Sequence, residues 1–305
     1  AWPERKPPTC TANYGGADFS AILLDNQFYA DQTAHLAKLD GIKRAELLRP
    51  PRWGKTLWLS MLECYYGVAH KERFGELFGG LDIVRRAEEL QPDTSLQSSF
   101  HVLRVVLPGL ITSDPKDYAW HFNSGVKDAC TAMLESLPDQ QREDWPELPE
   151  NDASRCITRM ADFVNNKLKG KLMVLVDEVD RAPMNTLARQ GKKGYEVVCD
   201  PLLSFLSALK NVTSDTPNKC FLVGIAPIVL QDPSVWNVAT TLHRKDDFAQ
   251  VVGMTEPDVE RALREVAGLR GTPELEAEHA EAMQLARAWY GEHYFNDGQQ
   301  VGLYN

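Results

Sequence analysis

Two stretches of this chain are apolar from end to end: Lys171–Val176 (Lys-Leu-Met-Val-Leu-Val) and Cys220–Ile225 (Cys-Phe-Leu-Val-Gly-Ile). Neither alternates. A strand with one wet face alternates with period two, whereas a strand covered on both faces has no reason to. Helix-patterned sequence lies between them, including Pro201–Leu209. Buried strands separated by helices require a parallel sheet with helices on both sides, joined by right-handed crossovers. Residues 100–107 add a strand that ends at Pro108-Gly109, and residues 44–49 a short one stopped by Pro50-Pro51. The predicted class is α/β: a three-layer sandwich around a parallel sheet.

The rest of the chain fits around that sheet. Residues 55–66 carry Leu57, Trp58, Leu59, Met61, Leu62, Tyr65 and Tyr66, with Gly67 as C-cap. A helix apolar all round lies beneath other layers. Ile157, Met160, Ala161, Val164 and Leu168 mark another helix, and the acidic, proline-broken residues 138–152 before it read as an exposed loop. Thr255-Glu256-Pro257-Asp258 is a capping-box-like helix start. A further helix is expected over 273–290, and a loop-rich segment over residues 1–40.

Composition excludes several classes. Charged residues number 33 basic and 43 acidic, a formal net charge of −10, which suits phosphate-backbone binding poorly over the whole chain. No run approaches the roughly 18 apolar residues of a membrane-spanning helix. The six cysteines are too widely spaced for C-x-x-C pairs, and Cys64, Cys156 and Cys220 stand in apolar contexts. Buried thiols in a reducing compartment are expected. The seven histidines show no metal spacing.

Chemistry concentrates at two strand ends. After the first strand comes Arg49-Pro50-Pro51-Arg52-Trp53-Gly54-Lys55-Thr56, and then a helix. A phosphate loop needs Gly where backbone meets phosphate, Lys for charge, and Ser or Thr for magnesium. Gly54, Lys55 and Thr56 supply these, and the helix N-terminus adds oriented N–H groups. The usual first Gly is replaced by Arg49, so by itself this could be a glycine turn before a core helix. The strand at 171–176 runs into Asp177-Glu178. Asp there holds magnesium and Glu orients the attacking water, although an acid pair can also merely cap a helix. Together, about 120 residues apart with a strand between, the two sites define a P-loop NTPase arrangement. The expected nucleotide contacts are Arg52, Trp53, Gly54, Lys55, Thr56 and Leu57. Thr56 and Asp177 are the expected magnesium ligands; Lys55, Asp177 and Glu178 are the catalytic set. No Asn-Lys-x-Asp guanine reader is present, which favours ATP. Residues 224–227 (Gly-Ile-Ala-Pro) offer no polar sensor for the γ-phosphate, which leaves slow turnover open.

Several segments together resemble the AAA-ATPase-like family, a P-loop ATPase domain of bacterial and fungal proteins and crinkler-type effectors. They are Phe28–Thr33, Leu48–Thr56, Leu59–Tyr66, Val176–Asp180, Gly224–Pro227, Gly253–Glu256, Trp289–Gly291 and Leu303–Asn305. The resemblance implies that Arg49 in place of Gly is a family habit. It also implies an ATPase core over 41–252 and a small helical lid over 253–305. Gln32, Pro51 and Ala226 depart from the family pattern, and Pro50-Pro51 removes two loop N–H donors. Arg52 can offset them as a phosphate contact or stand as a solvated charge. Many relatives continue into a nuclease-like domain. This chain stops before one, so a shortened lid and no nuclease activity are expected.

A switch or motor driven by magnesium-dependent ATP hydrolysis is the expected function. The alternative is a nucleotide-gated protein or nucleic-acid interaction module with little turnover. Arg244 is a candidate sensor or trans-acting arginine, although a surface cluster explains it more simply. Arg181, Arg189, Lys192 and Lys193 read as a basic loop able to touch a partner. Trp289, Tyr290, Tyr294 and Phe295 are expected to pack on the chain itself. Nucleotide-dependent homo-oligomers and a protein or nucleic-acid partner are compatible with the class, and membrane association is not expected. A cytoplasmic or nuclear location is expected, or secretion into a host if the effector likeness holds.

Overall fold

The computed structural model describes residues 16–109, 114–141, 144–228, 239–269, 271–291, 293–295 and 302–304. The prolines at 3–8, Cys10 and Asn305 lie outside the described residues.

Among the described residues five strands form one sheet in the order β2-β3-β4-β1-β5: β1 (Arg44–Leu48), β2 (Phe100–Val106), β3 (Lys171–Asp177), β4 (Lys219–Gly224) and β5 (Thr240–Thr241). All neighbours pair in parallel. Alternate residues of β3 and β4 feed different cores. Leu172, Val174 and Val176 of β3 and Cys220 and Leu222 of β4 join one cluster. Met173, Leu175, Phe221 and Val223 join the other. That division is why neither apolar run alternates, and it makes the three-layer α/β sandwich of a P-loop NTPase-like fold.

One layer is built on α2 (Lys55–Tyr66), whose buried residues run from Trp58 to Tyr66 with only Glu63 facing out among them. Gly67 ends it in an extended conformation, not a left-handed one. Glycine is needed there because a Cβ would come 2.4 Å from the Glu63 carbonyl oxygen. The other layer holds α3 (Pro115–Glu135), α4 (Ala153–Asp162) and α5 (Arg181–Ser214). Asp152 caps α4 by accepting from the Arg155 N–H at 2.9 Å. Five cysteines (64, 130, 156, 199 and 220) are buried free thiols, and burial pushes their pKa values up.

Three local expectations are corrected. The first forty residues are not all loop: α1 (Phe19–Leu24) is a helix capped by the Asp18 carboxylate. Residues 181–193 are not a loop: they are the first part of α5, which bends at Gly191 (φ 68°) and continues through Pro201. Burial of Val198, Leu202, Phe205, Leu206 and Leu209 carries the helix past a residue that would otherwise break it. Finally, Trp289, Tyr290 and Tyr294 are exposed, Trp289 at 77%, and only Phe295 of that quartet packs inward.

After the sheet come α6 (Glu256–Glu265) and α7 (Pro273–Trp289). Thr255 and Asp258 form the expected capping box: the Asp258 carboxylate accepts from the Thr255 N–H at 2.9 Å and its hydroxyl at 2.6 Å. Val259, Met283 and Tyr304 form a small cluster of their own. No described helix is long and apolar enough to cross a membrane.

Candidate functional site

The carboxyl ends of β1, β3 and β4 converge, as ligand-binding loops of parallel α/β sheets do. β1 leads into residues 49–54 and then α2. Two loop residues take left-handed backbone, Arg52 (φ 67°) and Gly54 (φ 80°), and Gly54 sits at the N-cap of α2. Its carbonyl accepts the Trp58 N–H at 2.8 Å. Arg52 is exposed, whereas Trp53 is buried.

Lys55 curls back over this loop. Its ammonium donates to the carbonyl oxygens of Arg49 and Pro50, both at 2.8 Å. Burial lowers its pKa, against the raising effect of the nearby Asp177, Asp180 and Glu178 carboxylates. Thr56, one residue on, donates its hydroxyl to Asp177 Oδ2 at 2.8 Å. Asp177 is 3% exposed, and its other oxygen accepts the Glu178 N–H at 2.9 Å. Positions 121 residues apart in sequence are thereby joined by one short hydrogen bond. Glu178 adopts φ 58° and its carboxylate is ion-paired with Arg181.

Oxygen donors, one a buried carboxylate, suit a hard cation. Among the described residues no group of three or more His, Cys, Asp or Glu could hold a metal alone.

Beside the loop lies a cavity of about 220 Å³. Phe28, Tyr29, Trp53, Leu57, Val252 and Tyr304 are among its lining residues, with Arg52 and Gly54 on the loop side. Arg52, Trp53, Gly54 and Leu57 thus line the cavity, whereas Lys55, Thr56 and Asp177 are not among its lining residues. Gln32 spans its rim, donating to the Gly253 carbonyl at 3.3 Å. Gly253 takes φ 91°, and a Cβ there would approach the Trp53 ring to 2.7 Å.

Arg49 is the largest departure from an ordinary phosphate loop. The residue is 1% exposed, and its guanidinium forms no ion pair among the described residues. It donates to the carbonyls of Leu48 (3.0 Å), Phe248 (3.4 Å) and Ala249 (3.1 Å), and lies 4.2 Å from the centre of the Phe295 ring. Burial lowers its pKa to about 10. Trp53 meets Phe295 edge-on at 4.8 Å and His293 at 5.2 Å. Residues 293–295 and 303–304 therefore strap the loop: His293 and Leu303 exchange hydrogen bonds at 2.9 and 3.1 Å, and Met254 and Tyr304 do the same.

Some residues were invisible to motif reasoning. Arg104 on β2 donates to the Thr56 carbonyl and to Glu63, each at 3.3 Å, and so ties α2 to the sheet. Its position in an apolar strand is the one signal that could have found it. Asp31 accepts from the Thr33 N–H and hydroxyl and from the Asp82 N–H, a structural role for the Phe28–Thr33 segment. Arg244 is exposed on a turn after β5 and acts electrostatically on Glu46. Arg189, Lys192 and Lys193 are exposed on α5, while Arg181 is engaged by Glu178.

The fold and loop place the chain in the P-loop NTPase-like class. It belongs to the AAA-ATPase-like family, described as "Predicted AAA-ATPase", whose family model matches residues 13–233. No curated protein gives a significant match. One solved structure is distantly similar, an E. coli HORMA:CdnC:Trip13 complex. It is 14% identical with a TM-score of 0.28, over 84% of this chain and 75% of that one. A likeness so distant carries no argument. Family membership brings nucleotide binding with it.

Proposed function

We propose that this chain binds ATP with magnesium and hydrolyses it, coupling the cycle to a partner as a switch or motor. The Thr56–Asp177 contact at 2.8 Å carries the reading, because those residue types serve one ion at one place. Lys55 and loop amides take the β- and γ-phosphates, with Arg52 beside them. To do so Lys55 exchanges two carbonyl partners for phosphate oxygens, a stronger charge-assisted contact. Thr56 and Asp177 would hold the magnesium, which supplies charge neutralisation at the phosphates when bound. Glu178 leaves Arg181 and accepts a hydrogen bond from the attacking water. The apolar cavity takes the base and ribose against Trp53 and Leu57. Residues 253–305 act as a lid, of which Phe295 and His293 touch the loop at Arg49 and Trp53.

The Glu178–Arg181 pair favours a second reading. If that pair persists with nucleotide bound, the chain is a nucleotide-gated interaction module with slow turnover. A protein or nucleic-acid partner, nucleotide-dependent self-association, and a cytoplasmic, nuclear or secreted-effector setting all belong to the proposal. Titration calorimetry of MgATP into Lys55→Ala tests binding. Loss of binding with an unchanged circular dichroism spectrum is expected; unchanged affinity would end the P-loop assignment.

A further inference from the structure

One acid in the Asp177-Glu178-Val179-Asp180 run has no part in the scheme above, yet it is as buried as any side chain near the site. Asp180 is 1% exposed. It occupies the N-cap position of α5 without capping it. Its carboxylate reaches across to the exit of β4 instead. Oδ2 accepts two successive N–H groups, from Ile225 at 2.8 Å and Ala226 at 2.6 Å. Oδ1 has no hydrogen-bond partner among the described residues. Gly224 makes room for it: a Cβ there would fall 2.7 Å from Oδ1 and 3.0 Å from the carboxyl carbon. The Gly224 carbonyl in turn accepts the Arg49 N–H at 3.1 Å. Asp180 therefore ties the β3 exit to the β4 exit, which the Arg49–Gly224 backbone bond joins in turn to the β1 exit.

The residue two before it shows why this matters. Glu178 holds φ 58°, a left-handed conformation that a non-glycine residue keeps only when its surroundings enforce it. The Asp180 carboxylate, pinned by two charge-assisted bonds, fixes the far side of that same turn. The β4 exit, Gly224–Pro227, lacks a polar side chain to face the γ-phosphate.

Resting on the ATPase reading, we propose that Asp180 is a positioning residue for hydrolysis. It holds the β4 exit and the Glu178 turn as one rigid unit, supplying from β3 the order that a polar side chain on β4 does not.

Phosphate release at saturating MgATP, paired with calorimetric MgATP affinity, tests this on four variants. Asp180→Ala is expected to lower kcat about ten- to a hundredfold, since a misplacement of ~1 Å costs up to about 10²-fold. Its ATP affinity is expected to stay within about twofold, because Lys55 and Thr56 are untouched. Asp180→Asn, whose amide oxygen can still accept both N–H groups, is expected to recover part of kcat. Gly224→Ala displaces the same carboxylate from the other side and is expected to reproduce the kcat loss. The double variant Asp180→Ala/Gly224→Ala is expected to be no slower than Asp180→Ala alone, since truncation removes the clash. If Asp180→Ala fails to fold, Gly224→Ala and Asp180→Asn carry the test through the same separation of kcat from affinity. Wild-type kcat in folded Asp180→Ala or Gly224→Ala overturns the proposal alone. So does an affinity loss that tracks kcat. Wild-type protein that binds MgATP but releases no phosphate overturns the hydrolysis reading and this proposal together.

Discussion

Truncating Phe295 to alanine removes the ring that joins the C-terminal strap to the phosphate loop. The ring lies 4.2 Å from the Arg49 guanidinium and 4.8 Å from the Trp53 ring, crossing the latter at 89°. A desolvated cation–π contact is worth about 2 kcal/mol, and an edge-to-face pair adds about 1 kcal/mol. Deleting a fully buried Phe costs ~3–5 kcal/mol. Phe295 is only half-buried, and these contributions overlap rather than add. A loss of about 2–3 kcal/mol in unfolding free energy follows. Part of it reaches the site, because Trp53 lines the cavity and Arg49 opens the loop. If about 1 kcal/mol is passed on, MgATP affinity falls roughly fivefold. Urea denaturation measures the first quantity and calorimetry the second. Phe295→Leu keeps apolar volume without the ring, so it is expected to regain part of the stability but not the affinity. A Phe295→Ala protein as stable and as tight-binding as wild type would refute the strap's coupling to the loop.

Asp31→Ala deletes the acceptor of three hydrogen bonds and is expected to cost about 2–3 kcal/mol, the range for bonds to a charged group, read as a lower urea midpoint with unchanged slope. Stability should also depend on acid. Burial lowers the pKa values of His35 and His243 from 6.5 to about 4, so both are neutral in the fold and take up protons on unfolding. Their contribution is complete above pH 6.5 and is lost as pH falls from 6.5 towards 4. Melting temperatures across that window should fall with pH, and by less in His35→Gln; a flat profile would contradict the neutral-histidine assignment.

What was legible in the sequence follows from how many constraints each segment obeys. Residues 171–176 must satisfy two cores at once, so their composition betrays both the sheet and its burial. Gly54, Lys55, Thr56 and Asp177 follow strand ends that the apolar runs already marked, and the fold joins Thr56 to Asp177. By contrast, α3 went unread although Tyr118, Phe122, Val126 and Cys130 recur every fourth residue on its buried face. Strand β5 has only two residues, too few to show a period. Gly191 does interrupt α5, with φ 68°, whereas Pro201 stays inside it because tertiary packing overrides that local preference. The exposed Trp289, Tyr290 and Tyr294 show the limit of burial reasoning: apolar residues inside is a tendency, and apolar residues outside are common. The buried Arg49 could not be foreseen, because its partners are backbone carbonyls and a ring some two hundred and fifty residues away.

The central claim, hydrolysis of ATP at the junction of Thr56, Asp177 and Glu178, is tested most directly by phosphate release from saturating MgATP by wild type and Glu178→Gln, each with calorimetric affinity. Gln keeps the shape of Glu and cannot act as a base. The account predicts wild-type turnover that EDTA abolishes, and a loss of about 10²-fold in Glu178→Gln with ATP affinity retained. Equal turnover in the two proteins would contradict it.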